Sequence, residues 1–163
     1  MKLKSLHSPM LLSLAFYGLA LALPAFNFLN RGEFNTVPDG ALTLMPGWEV
    51  LALGWLGIFV WQFAWFANIA YFASLGLWLN RAWRTAVILS LIAVGLGLNT
   101  LFLFVQELPS NGAGATRYLQ SLQPGFYCWM LGLSIPLLWC SWQLWQDHHN
   151  SQISPTTQSP KHQ

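Results

Sequence analysis

Val50-Leu-Ala-Leu-Gly-Trp-Leu-Gly-Ile-Phe-Val-Trp-Gln-Phe-Ala-Trp-Phe-Ala-Asn-Ile-Ala-Tyr-Phe-Ala-Ser-Leu-Gly-Leu-Trp-Leu79 decides the architecture that this sequence predicts. The stretch contains no acid or base, and its most polar members are the amides Gln62 and Asn68. About 20 apolar residues suffice for a helix to cross a hydrocarbon core. A run of this length therefore predicts a tilted transmembrane helix over 50–79, or one whose end projects from the bilayer.

Three further apolar runs, at 9–29, 85–106 and 126–145, predict three more such helices. The composition agrees, because 55% of the residues are hydrophobic and only 7% are charged. A water-facing domain carries roughly 25% charged residues. The predicted fold is all-α, an integral-membrane four-transmembrane-helix bundle occupying residues 1–147, followed by a disordered polar tail over 148–163. The segments 30–48 and 107–124 hold Pro38-Asp-Gly40, Pro46-Gly47 and Pro109-Ser-Asn-Gly112. They read as loops, the second with a short surface helix around Tyr118. Asn80-Arg-Ala-Trp-Arg84 is the only break between the second and third runs, which predicts a tight antiparallel hairpin. The first run, led by Lys2 and Lys4, also fits a secretory signal peptide, but its apolar character continues through Phe26 and Phe28, which favours an uncleaved helix.

Basic residues near helix ends orient membrane helices. Lys2, Lys4, Arg81 and Arg84 fall on one side of the predicted bundle, and Arg31 and Arg117 on the other. This places both termini in the cytoplasm of a bacterial cell, in a multi-pass inner-membrane protein whose first partner is the lipid bilayer. Ten tryptophans, several at the predicted helix ends, suit headgroup depth. The net charge of +2 forms no basic patch, so nucleic acid is not an expected partner.

Reactive chemistry finds few residues to carry it. Histidines 7, 148, 149 and 162 lie outside the predicted helices, and Cys128 and Cys140 are twelve positions apart on one helix. At ~1.5 Å per residue that separation is about 18 Å, far beyond disulfide reach. No nucleophile elbow, zinc-protease or phosphate-loop motif occurs. The sequence thus predicts no catalytic residue, no metal and no cofactor. Its polar candidates are structural: Glu49 as a carboxylate at a helix N-terminus, and Gln62, Asn68 and Thr100 within the apolar runs. Ala86, Ser90, Ala93, Gly97 and Thr100 form one small-residue face, matched by Ala64, Ala67, Asn68, Tyr71 and Ser74. Such faces let helices approach closely, and hairpin arithmetic places Asn68 beside Gly97 and Thr100.

Gly47-Trp-Glu-Val, Gly54-Trp-Leu-Gly57, Ala64-Trp-Phe-Ala-Asn68 and Arg81-Ala-Trp-Arg84 resemble a group of small bacterial multi-pass membrane proteins without assigned activity. The resemblance covers about a quarter of the chain and implies no catalytic residues. The expected function is that of a non-enzymatic membrane protein acting through helix and loop contacts, as an accessory subunit or an immunity-type protector, with a membrane-protein partner or a second copy of itself. The alternatives are a small transporter or channel component acting as an oligomer, and a cofactor-dependent membrane enzyme.

Overall fold

Pro24 sets where the first helix stops. A proline lacks an N–H, and its ring disfavours helical geometry in the residue before it. In the computed structural model, which describes residues 4–31, 38–109 and 116–153, α1 accordingly spans Lys4–Ala22 and not 9–29. After Pro24 side-chain burial takes on a period of two. Phe26, Phe28 and Asn30 are buried while Asn27 and Leu29 are half-exposed, and the segment is a strand, β1 (Pro24–Arg31).

The chain returns through a turn at Gly40, whose φ of 79° suits glycine, into β2 (Leu42–Pro46). The Asn30 side chain fixes this turn by donating to the carbonyl of Ala41 at 2.9 Å and to Thr43 Oγ1 at 2.8 Å. The segment predicted as the second loop supplies β3 (Leu108–Pro109) and β4 (Thr116–Leu122). Together they form a four-stranded antiparallel sheet of order β2-β1-β4-β3. The two predicted loops are therefore largely sheet, and Tyr118 lies in β4, not in a surface helix. Residues 32–37 and 110–115 of those loops lie outside the described residues.

The run 50–79 is not one helix. It divides into α2 (Gly47–Leu53), a 3₁₀ helix over Gly54–Val60, a reversal at Trp61 with φ 61°, a short 3₁₀ turn at Ala64–Phe66, and α3 (Ala67–Leu79). Its glycines explain the break. A Cβ on Gly54 would come within 2.9 Å of Trp65 Cδ1, and one on Gly57 within 2.9 Å of the Gln62 carbonyl oxygen. The chain folds back on itself there, held by Trp65 Nε1 donating to the Leu51 carbonyl at 2.7 Å and Gln62 N–H donating to Gly57 at 2.9 Å.

The hairpin between α3 and α4 (Trp83–Leu98) is as tight as predicted, with Arg81 in the left-handed region at φ 57°. α4 continues as a 3₁₀ helix over Asn99–Phe104, and α5 runs over Pro124–Ile153. The start of the predicted disordered tail, residues 148–153, is thus helical, and 154–163 lie outside the described residues. His148 and His149 accordingly sit in α5, where His149 stacks on Trp145 at 5.5 Å. Cys128 and Cys140 also lie on α5 as free thiols.

Among the described residues one helical stretch, the 22 residues Trp83–Phe104, is long and apolar enough to cross a membrane, whereas Ser8–Ala22, Gly47–Val60 and Ala64–Leu79 are shorter. The expected all-α bundle of four transmembrane helices is corrected to a mixed fold of helices and an antiparallel sheet. The expected multi-pass placement in a bacterial inner membrane, with both termini cytoplasmic, is likewise not supported.

Candidate ligand cavity

Polar side chains hold α1, α3 and α5 together below the sheet. Ser13 Oγ donates its one hydrogen to the Gly132 carbonyl at 2.8 Å, so the 2.7 Å contact with Tyr71 has the phenol as donor. One helical turn further on, Asn68 Oδ1 accepts from Tyr17 Oη at 3.1 Å and from Trp129 Nε1 at 3.0 Å, while its Nδ2 donates to the Trp65 carbonyl at 2.9 Å. Tyr17 and Tyr71 stack at 5.2 Å with planes 8° apart. The partners of Asn68 differ from those the hairpin arithmetic gave: it joins α3 to α1 and α5. Gly97 instead meets α5, where a Cβ would lie 2.8 Å from Met130 Sδ.

Above this lock, the sheet, α2 and the folded-back 3₁₀ segment line a partly open cavity of about 510 Å³. Its walls are mainly apolar, among them Phe28, Val50, Leu103 and Phe126. Glycines make the enclosure close. A Cβ on Gly125 would stand 2.7 Å from the Pro24 carbonyl oxygen, and one on Gly47 only 2.0 Å from that of Ala20.

Three of the four polar residues singled out in the sequence, Gln62, Asn68 and Thr100, line this cavity. Gln62 is 7% exposed, and Thr100 is buried on the 3₁₀ extension of α4. Glu49 does lie in the first turn of α2, half-buried, as its helix-start position predicted.

The sequence reading gave no site role to Arg117. Its place on β4 puts it opposite Asn30 of β1 and Leu108 of β3, and its guanidinium lies over the Phe28 ring at 4.8 Å, against the cavity. Burial pushes this guanidinium below its ordinary value, an effect the Glu49 carboxylate only partly offsets. The next residue, Tyr118, faces outward. Its hydroxyl donates to Glu107, which raises the phenol above its ordinary value, while Arg31, 5.1 Å from the ring, acts in the opposite sense. The alternation of Thr116-Arg-Tyr-Leu-Gln-Ser-Leu122 was the available signal, since a strand there sends Arg117 and Leu119 to one face and Tyr118 to the other.

Compared with protein-family models, curated proteins and solved structures, the chain matches none.

Proposed function

We propose that the protein is a lipid-associated, non-enzymatic protein that works by contact and binding. The observation that carries this reading is the apolar surface shared by all four long helices. Leu11 on α1 is 64% exposed, Ile69 on α3 55%, Leu91 on α4 60% and Leu138 on α5 69%. Only 28% of the apolar window in Trp83–Phe104 is buried, which distinguishes it from the core helix of a water-facing domain. Exposed apolar patches of this extent mark interaction surfaces. The polar groups inside are amides, phenols and hydroxyls paired chiefly with one another, which suits structural locking and ligand contact better than bond making.

Tryptophan quenching tests the reading, because the exposed Trp142 lies on the α5 part of this surface and the exposed Trp55 on the 3₁₀ segment. Vesicles whose acyl chains carry bromine are expected to quench the fluorescence strongly, and unbrominated vesicles are not. A protein that stays monomeric in detergent-free buffer and is not quenched by brominated chains overturns the lipid assignment.

A further inference from the structure

We propose that the cavity under the sheet binds an amphiphile whose anionic head carries an adjacent N–H or O–H, the anion received by Arg117 and the hydrogen by Gln62 Oε1. The site stands apart from whether lipid covers the helices, so the two readings fail separately.

The argument begins with the orientation of one amide. Gln62 Nε2 donates to Gln106 Oε1 at 2.5 Å, and Gln106 Nε2 donates to the Val60 carbonyl. Turning the Gln62 amide would face two carbonyl oxygens together, and turning both amides would press Gln106 Oε1 against Val60 O. The network therefore fixes Gln62 Oε1 as the free end. That oxygen is buried without a hydrogen-bond partner, on a residue 7% exposed that lines the cavity. Buried acceptors are ordinarily paired, and an unpaired one calls for a donor.

A second residue of the cavity lining, Arg117, also carries an unpaired group. Arg117 Nε is buried without a partner, and Glu49 acts on this guanidinium through its field with no hydrogen bond between them. The two groups are linked through the sheet edge, because Gln62 bonds Gln106 while Arg117 pairs with Leu108, two residues further on. A guanidinium suits a carboxylate or phosphate, which it can grip with two parallel N–H bonds. The rest of the wall is mainly apolar, and about 510 Å³ lies within the ~300–1,000 Å³ usual for small-molecule sites. An anion alone would leave that wall unfilled, and a hydrocarbon alone would leave both polar groups unpaired. An amphiphile satisfies all three.

Full-length protein in a non-ionic detergent would be titrated with N-dodecanoylglycine, which carries a carboxylate and an amide N–H, with its methyl ester, with dodecanoate and with inorganic phosphate. The readout is the rise in unfolding midpoint followed by tryptophan fluorescence. The acid is expected to bind at least about 10-fold more tightly than the ester and roughly 3- to 10-fold more tightly than dodecanoate, as charge-assisted and neutral hydrogen bonds respectively imply. Arg117→Met should abolish the preference for acid over ester, and Gln62→Met the preference for the amide-bearing acid. Phosphatidylglycerol with the same dependence on Arg117 would assign the anion to a lipid phosphate; stabilisation by the acylglycine alone would assign a carboxylate. Equal binding of acid and ester by the wild-type chain overturns the proposal without recourse to any variant. So does phosphate binding as tightly as the acylglycine, since the chain would then contribute nothing.

Discussion

Gly47→Ala probes the junction on which the cavity depends. The new Cβ would lie 2.0 Å from the Ala20 carbonyl oxygen, 2.9 Å from its carbon and 3.1 Å from Leu21 Cα, all of them backbone atoms that no rotamer change can move. Real Cβ atoms essentially never come within 3.0 Å, so α2 or the end of α1 must shift by 3.0 − 2.0, about 1.0 Å. That shift also stretches the 3.0 Å bond from Gly47 N–H to the Leu23 carbonyl. Overpacking costs ~1–3 kcal/mol and loss of that hydrogen bond ~1 more, giving a loss of roughly 2–4 kcal/mol. For a chain of this size the unfolding midpoint should fall by about 4–16 °C. The assay is thermal unfolding in non-ionic detergent, read by tryptophan fluorescence, with Gly18→Ala and Gly95→Ala as controls. A Cβ at either control meets nothing within 4 Å, so those variants should gain ~0.5–1 kcal/mol from the greater helix propensity of alanine. If Gly47→Ala unfolds at the same temperature as Gly95→Ala, the close approach of α1 to α2 is wrong.

Three other outcomes are expected. Asn68→Leu strands the donors of Tyr17 and Trp129, and its cost should be roughly 1–3 kcal/mol, with a double-mutant cycle against Tyr17→Phe showing coupling; strict additivity would refute the shared acceptor. Gly97→Leu should cost more than Gly97→Ala, because the small variant presses only on the flexible ends of Met130 and Leu133 and makes ordinary contact with Trp129, whereas the large one drives α4 from α5; equal midpoints would count against that packing. The Tyr118 phenol, raised by its bond to Glu107, should ionise above its ordinary value of 10.0, so the stability from this pair is present below pH 10 and is lost as pH climbs through the raised value. The phenolate absorbance difference between wild type and Tyr118→Phe measures this, and Glu107→Gln should bring the titration back down.

The sequence showed which helix faces would be buried far better than it showed where the chain would turn. Ala86, Ser90, Ala93, Gly97 and Thr100 are all buried on α4 and its extension, and Ala67, Asn68, Tyr71 and Ser74 are buried on α3, while Ala64 of the same predicted face is half-buried in the 3₁₀ turn before it. Small residues at helical spacing are a local signal, and helix packing obeys it. The break within 50–79 could not be read that way. Gly54 and Gly57 are equally suited to close packing along a straight helix and to clearing a chain that doubles back, and the choice depends on Trp65 finding the Leu51 carbonyl. The strands were missed for a related reason. Continuous apolar character carried the first helix past Pro24, although proline and the alternation of Phe26, Phe28 and Asn30 both marked a change of period.

Arg117 shows why charge on its own does not mark a site. In a polar loop it was a topology marker, one of two basic residues on its side. Once β4 pairs with β1, the two-residue period of the strand turns the same side chain inward over Phe28, beside the apolar wall of the cavity. An arginine there is desolvated, which strengthens each hydrogen bond it can make to an anion and raises the cost of leaving it unpaired. Gln62 lines the same space, brought there by the reversal at Trp61. Neither residue acquires a role from its neighbours in sequence. The role arises when the sheet and the folded-back segment close over one another, and the glycines at 47, 54, 57 and 125 are the positions that permit that closure.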